Sequence, residues 1–136
     1  MYTMNSNNFG LARGRLTRNP AVFTNKDGSR KVKFTLALHD NYIGKDGKRG
    51  CQFITFEDFL RADKPDNGVF DYIHEGDLVS VRYTMKTNTY KDKNNATVYS
   101  QVLAAQEVQI EETRRVIEAR MARKAAEAAI DTLFLE

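Results

Sequence analysis

The sequence of 136 residues has no tryptophan, two prolines, two histidines and one cysteine. A single cysteine, Cys51, excludes an intramolecular disulfide and is typical of a reducing compartment. No apolar run approaches the roughly 18 residues of a transmembrane helix. The polar first residues also lack the apolar region of a signal peptide. We therefore expect a cytoplasmic protein.

The residues that enzymes commonly use are also scarce or scattered. His39 and His74 lie far apart, with no cysteines or carboxylates at the spacing of metal ligands. Glu57 and Asp58 are neighbours on a predicted strand, so their side chains point to opposite faces and cannot act as a pair. No glycine-rich phosphate loop is present, and no base is identifiable beside Cys51. We expect no catalysis, no cofactor and no metal.

The chain does carry a mild excess of basic residues, and this excess lies in one part of it. The net charge is +3 overall, made up of +4 in residues 1–110 and −1 in residues 111–136. Mild basicity favours a polyanionic partner without proving one. The length allows one real core, so we predict one domain over 1–110 and a helical extension over 111–136.

The segment from residue 31 to 59 has the pattern of a β-hairpin around an Asp46-Gly47 turn. In its first arm, apolar residues recur at every second position, at Val32, Phe34, Leu36 and Leu38. In the second arm Ile54 and Phe56 share one parity and belong to the predicted core. Phe53 and Phe59 share the other parity, which leaves two phenyl rings on the exposed face.

The rest of the first 110 residues reads as short strands separated by turns, with one short helix. In chain order, the predicted segments around the hairpin are a strand over 9–17, an extended piece over 21–24, a helix over 69–74, and strands over 78–90 and 97–110. Residues 1–8 are either a loose lead-in or a short edge strand. Five strands with one short helix between the third and fourth predict an all-β OB-fold, a five-stranded Greek-key barrel.

Alternation along the strand over 78–90 assigns its side chains to two faces. The residues predicted to point inward are Val79, Val81, Tyr83 and Met85. Those predicted to point outward are Ser80, Arg82, Thr84, Lys86, Asn88 and Tyr90. Aromatic rings exposed beside lysines are what a platform for single-stranded nucleic acid requires.

The composition changes at Glu111. The segment that follows has no glycine or proline and is rich in alanine, glutamate and arginine, which favour an α-helix. Its apolar residues form one helical stripe, at Ile110, Ile117, Met121, Ala125 and Ala128. Two interpretations stay open: a C-terminal helix that mediates oligomerisation or binds a partner, and a helix that folds back on its own barrel.

Three motifs resemble the bacterial and phage single-stranded DNA-binding protein family. They are Gly14-Arg-Leu-Thr-Arg-Asn-Pro20, Phe34-Thr-Leu-Ala37 and Glu75-Gly-Asp-Leu-Val79, within a resemblance that covers roughly residues 9–110. The first two motifs, found together at this distance, are fairly specific for the family, although either motif alone would be weak evidence. The resemblance implies an OB-fold that binds single-stranded DNA on aromatic rings and forms a homo-oligomer, usually a tetramer.

The resemblance also implies four stacking positions, and each of them is aromatic in this chain. One follows the Phe-Thr-Leu-Ala strand, one opens the third strand, one lies further along that strand, and one ends the fourth strand. Here they are Tyr42, Phe53, Phe59 and Tyr90. The family often has tryptophan at three of them. Because phenyl and phenol rings are smaller, we expect stacking energies at the low end of about 1–3 kcal/mol per base.

Basic residues near these rings are the candidates for phosphate contacts. They are Lys31, Lys33, Lys45, Lys48, Arg49, Arg82, Lys86, Lys91 and Lys93. We predict sequence-tolerant binding and protection of single-stranded DNA, with RNA left open, in replication, recombination or repair. The alternative is an OB-fold module for protein interaction and assembly in a primosome or conjugation apparatus, with the C-terminal helix as its interface.

The chain departs from the family pattern in two ways. The family typically ends in a Gly/Pro/Gln-rich tail with an acidic tip closing in Pro-Phe, which recruits other proteins. This sequence ends Ala-Ile-Asp-Thr-Leu-Phe-Leu-Glu136, so partners of an acidic tail are not expected. Glu57 and Asp58 also place negative charge beside the predicted phosphate path. Both departures favour a phage or mobile-element member.

Overall fold

The structure, a computed structural model, describes residues 5–112 and 114–134. Its elements are the strands β1 Gly10–Leu16, β2 Ala21–Thr24, β3 Arg30–Ile43, β4 Arg49–Leu60, β5 Leu78–Lys91 and β6 Thr97–Ile110, a 3₁₀ turn Gly68–Asp71, and the helix α1 Arg114–Phe134. The predicted strands are all confirmed. The helix predicted over 69–74 is instead the shorter 3₁₀ turn, closed by a 3.0 Å bond from the Tyr72 N–H to the Val69 carbonyl.

The lead-in predicted for residues 1–8 lies partly outside the described residues, which begin at Asn5. Residues 5–8 form a turn in which the Asn8 N–H donates to the Asn5 carbonyl at 3.1 Å. The Asn8 side chain then exchanges two hydrogen bonds, each 2.8 Å long, with the backbone of Met85. The described part of the lead-in is therefore tied to β5 through a side chain and is not an edge strand.

Five strands close into a barrel in the order β1-β5-β6-β4-β3, and β3 returns to pair with β1 at Leu16 and Leu36. The pairing of β4 with β6 is parallel, with Phe56 beside Leu103, and the other strand pairs are antiparallel. This is the connectivity of an OB-fold, which confirms the predicted fold. The short strand β2 pairs with β3 and widens the sheet on the outside.

Alternation in β3 and β4 sends the predicted apolar residues into the barrel. Phe34 and Phe56 are buried, and their ring centroids lie 5.5 Å apart. Phe70, from the 3₁₀ turn, packs on Phe34 with centroids 5.4 Å apart. Tyr83 of β5 reaches the same cluster, at 5.3 Å from Phe56. The core predicted from period-two patterning is therefore present.

Closure of the barrel requires glycine at position 14. A Cβ atom on Gly14 would lie 2.3 Å from the carbonyl oxygen of Ala37 in β3. A side chain cannot come this close to a backbone atom, so any other residue would push β1 away from β3. The glycine in the first predicted strand thus marks a close backbone approach.

The alternation predicted for β5 is wrong at two residues near Tyr83. Met85, predicted to point inward, is 55 % exposed, and Thr84, predicted to point outward, is buried. The register against β6 shifts between Arg82 and Tyr83, and β1 pairs with β5 only as far as Tyr83. Beyond that point the hairpin of β5 and β6 extends past β1, so none of the described strands covers Met85.

Helix α1 is anchored to the barrel through Arg120. This arginine donates hydrogen bonds to Asp77, which is fully buried, and to Glu112 at 2.6 Å. Glu112 also accepts bonds of 3.0 Å from the Arg15 guanidinium and from the Leu78 N–H. Burial acts to raise the pKa of Glu112, but these hydrogen bonds outweigh it and hold the pKa below its ordinary value.

The rest of α1 is not packed on the barrel. Every residue from Met121 to Leu133 is exposed, including most of the predicted stripe. Within the described part of α1, the contact with the barrel lies around Arg120, and the Lys124 side chain also approaches Gly76. Within the described residues, no helix is long and apolar enough to cross a membrane.

Candidate nucleic-acid interface

A row of side chains crosses three neighbouring strands on the outer face of the sheet. Phe23 of β2 pairs with Lys31 of β3, and Lys31 pairs with Phe59 of β4. Directly paired residues share a face, so a lysine lies between two phenyl rings. Phe23 is 53 % exposed and Phe59 is 60 % exposed.

Phe53 lies on the same face of β4, six residues from Phe59 and 67 % exposed. It pairs with Ala37, whose small side chain leaves the ring uncovered. Phe53 and Phe23 line one hollow of about 470 Å³ together with Lys33. The two phenyl positions predicted from alternation are therefore on the exposed face.

Three adjoining hollows join into one groove. The first, between Phe53 and Phe23, shares Phe23 and Lys33 with a second of about 450 Å³. The second shares Lys31 and Phe59 with a third of about 410 Å³, which Lys86 also lines. We call this surface the aromatic groove, defined by Phe23, Lys31, Lys33, Phe53, Phe59 and Lys86.

The two tyrosines of the predicted site lie at or beyond the ends of the groove. Tyr90 is exposed and alternates with Lys86 and Asn88, so it continues the face of β5 that borders the groove. Tyr42 is exposed near the end of β3, where the register against β4 is irregular between His39 and Ile43. It lies outside the three hollows.

Two groove lysines share one carboxylate. Glu57 of β4 lies 3.8 Å from the Lys31 ammonium and 3.3 Å from that of Lys33. These distances are longer than the 2.7–2.9 Å or so of a tight charge-assisted hydrogen bond. The Lys33 ammonium also lies 6.0 Å from the centre of the Phe23 ring, at the limit of a cation–π contact. Both lysine side chains are about half exposed, so their ammonium groups can still reach an anion.

The other predicted basic residues are spread around the groove. Arg82 is paired with Glu107 at 3.3 Å and lies near the Phe9 ring, outside the three hollows. The Lys91 ammonium donates to the Thr97 hydroxyl at 3.1 Å. The remaining ones are exposed near the tips of the two long hairpins, at Lys45, Lys48, Arg49 and Lys93.

Phe23 is the groove residue that the sequence did not reveal. Its segment, Ala21–Thr24, is four residues long and wholly exposed, so no apolar alternation marks its two faces. The pairing of Phe23 with Lys31 across β2 and β3 is what places it in the groove. The signal in the sequence that could have indicated Phe23 is an aromatic residue in a short strand next to a basic hairpin.

Asp58 is one of two acidic residues in the wall of the third hollow, and Glu57 is the other. Burial raises the pKa of its carboxyl above the ordinary value. A hydrogen bond from the Phe59 N–H, 2.8 Å long, and the charges of Lys64 and Lys86 offset only part of this rise. The folded protein therefore holds the Asp58 proton more tightly than the unfolded chain does, and the ionised carboxyl costs stability at neutral pH.

We expect Asp58→Asn to raise the melting temperature at pH 7, because it removes a partly buried charge. This gain in melting temperature should shrink as the pH falls, because the Asp58 carboxyl of the wild type then takes up a proton. Thermal denaturation between pH 3 and pH 8 measures this. Asp63→Asn, the same charge change on an exposed loop residue, is the control. If the difference in melting temperature between wild type and Asp58→Asn were the same at every pH, the raised pKa of Asp58 would be contradicted.

Within residues 5–112 and 114–134, no three His, Cys, Asp or Glu side chains come together as they would around a metal ion. Glu57 and Asp58 do point to different sides, as predicted: Glu57 faces Lys31 and Lys33, whereas Asp58 pairs across the strands with the buried Val32.

Comparison with known proteins gives a consistent picture for the barrel. Residues 7–111 match the model of the "Single-strand binding protein family". The chain is 31% identical over 101 residues to "Single-stranded DNA-binding protein 1" of Staphylococcus aureus strain MSSA476, covering 74% of this chain and 63% of the relative. It is 29% identical over 107 residues to "Single-stranded DNA-binding protein" of Enterococcus faecalis, covering 79% and 55%. The chain thus matches less than two thirds of the length of these relatives.

Proposed function

Because the chain belongs to the single-strand binding protein family, we propose that its barrel binds single-stranded DNA along the aromatic groove. The observation that carries the proposal is the exposure of Phe23, Phe53 and Phe59 on one face, with Lys31 and Lys33 between them. Large apolar rings are normally covered in a folded protein, and three in one groove mark a binding surface.

Stacking accounts for binding without sequence preference. Every base has a flat π-face, and a phenyl ring can cover it without forming a hydrogen bond to its edge. We propose that Tyr42, Phe53, Phe59 and Tyr90 stack on bases, as the family resemblance implies, and that Phe23 adds a further ring. The long hairpin of β5 and β6 would carry the strand from the groove to Tyr90.

The lysines would hold the phosphates between the stacked bases. Lys31 and Lys33 already hold Glu57 loosely, so a phosphate can share their donors without breaking a tight pair. Lys86 lines the far end of the groove. The other predicted basic residues would add contacts as the strand leaves the groove. Protection of single-stranded DNA in replication, recombination or repair, by a homo-oligomer in the cytoplasm, is the role we propose.

The direct test is binding of a fluorescent oligo-dT to the full chain, measured by anisotropy at several salt concentrations. Contacts from Lys31, Lys33 and Lys86 alone predict a slope of about −2 in a plot of log K against log salt, since each phosphate adds about −0.7. An oligo-dA of the same length should bind with similar affinity. Absence of binding at low salt would refute the proposal, and a duplex competing as well as the single strand would refute the role of stacking.

A further inference from the structure

Helix α1 presents an apolar face to solvent. Val116, Ile130 and Leu133 are 49 %, 51 % and 72 % exposed. They belong to a set of residues spaced alternately by three and four positions: Val116, Ala119, Arg123, Ala126, Ile130 and Leu133. This spacing puts all six on one side of the helix, as in the a and d positions of a coiled coil.

The charges of α1 are divided between its two halves. Residues 114–124 contain five basic residues and one acidic residue, a net charge of +4, whereas residues 125–134 contain only Glu127 and Asp131 as charged residues, a net charge of −2. A parallel pair of such helices would place the two basic halves side by side. An antiparallel pair would place each basic half against an acidic half, so the charge pattern selects the second arrangement.

A hollow lies where the end of an antiparallel partner would arrive. It has a volume of about 410 Å³, between the barrel and the first half of α1, and its walls include Arg15, Val116, Ala119 and Arg123. Arg120 closes one side of it through its bonds to Asp77 and Glu112. At the other end of the helix, Ile130 and Leu133 are exposed.

We propose that α1 pairs with the α1 of a second copy in antiparallel orientation, crossing near residues 124 and 125. In this register Val116 faces the partner's Leu133 and Ala119 faces the partner's Ile130, so large residues meet small or medium ones. Arg123 lies against the partner's Ala126 and reaches the partner's Glu127. The C-terminal end of each helix then fills the hollow of the other copy.

The size of this contact sets its strength. A helix of 21 residues is about 31 Å long, and a single helix pair lies at the low end of specific interfaces. The pairing is therefore concentration-dependent, and it joins molecules independently of whether the groove holds DNA. Packing of an apolar face is also what stabilises most helices in proteins, which explains an ordered α1 so little covered by its own barrel.

A charge exchange in the full chain tests the pairing. Arg123→Glu and Glu127→Lys each place like charges opposite one another in the homodimer, and each should weaken self-association about three- to tenfold. An equimolar mixture should regain wild-type association, because both contacts are then attractive again. Native mass spectrometry measures the species, and circular dichroism checks the helix. Failure of the mixture to regain association would overturn the proposal.

Disulfide trapping tests the orientation. In a Cys51→Ser background, chains carrying Ala119→Cys are mixed with chains carrying Ile130→Cys and oxidised mildly. The antiparallel register predicts crosslinks mainly between one chain of each kind, because residue 119 faces residue 130. Crosslinks mainly between identical chains would indicate parallel helices and overturn the proposal, as would absence of crosslinks. Binding of oligo-dT should be unchanged in all four variants, which separates this test from that of the groove.

Discussion

Replacing Phe53 and Phe59 together with alanine should lower the affinity for oligo-dT about 30-fold or more. Each ring stacked on a base is worth about 1–3 kcal/mol, and the low end for two phenyl rings gives about 2 kcal/mol. Both side chains are more than half exposed, so their loss should leave the folded barrel almost unchanged. Anisotropy titrations measure the affinity, and thermal denaturation verifies the fold.

The control for this prediction is Tyr72→Ala, which removes a similarly exposed ring at the end of the 3₁₀ turn that lines none of the three groove hollows. It should leave the affinity within about twofold of wild type. Phe23→Ala alone should cost about fivefold if this ring stacks on a base, as we propose. Unchanged affinity in the double variant, with a normal melting curve, would show that the DNA does not run along the aromatic groove.

Replacing Phe56 with alanine should lower the free energy of unfolding by about 3–5 kcal/mol. Phe56 is fully buried, packs between Phe34 and Tyr83, and lies at the parallel contact with Leu103 of β6. Its loss would leave a cavity where the two halves of the barrel join. Domains of this size are stable by only about 5–15 kcal/mol, so much of the variant could be unfolded at 37 °C.

Urea denaturation of Phe56→Ala and Phe59→Ala compares the contributions of two residues of the same strand to stability. The residues lie three positions apart on β4 and face opposite sides of it. Phe56→Ala should shift the urea midpoint strongly and retain DNA affinity where it is still folded. Phe59→Ala should leave the urea midpoint almost unchanged and lower the DNA affinity. Equal effects of both substitutions on stability would contradict the division of β4 into a core face and a binding face.

The strands, the turns and the two faces of β3 and β4 could be predicted from the sequence. Alternation is a local property, since each residue points opposite to its neighbour whatever lies above the strand. Because of this, Phe53, Phe59 and Tyr90 could be assigned to the exposed side before their surroundings were known. The predicted roles of these rings in DNA binding remain proposals to be tested.

The errors arose where a second element decides the outcome. Met85 obeys no local rule, because its exposure follows from the point at which β1 stops pairing with β5. Phe23 enters the groove because β2 pairs with β3, and a strand of four residues carries no pattern that predicts its partner. The attachment of α1 depends on a buried carboxylate, Asp77, for which Arg120 is the nearest cationic partner.

The sequence by itself determined that this chain is a small β-barrel with aromatic rings and lysines on its outer face, followed by a helix. Only the tertiary structure decided which rings share one groove, which lysines Glu57 holds, and how much of α1 stays uncovered. The reason is physical: the direction of a side chain follows from the backbone next to it. Its neighbours, however, come from strands and helices that are distant in the chain and meet only when the barrel closes.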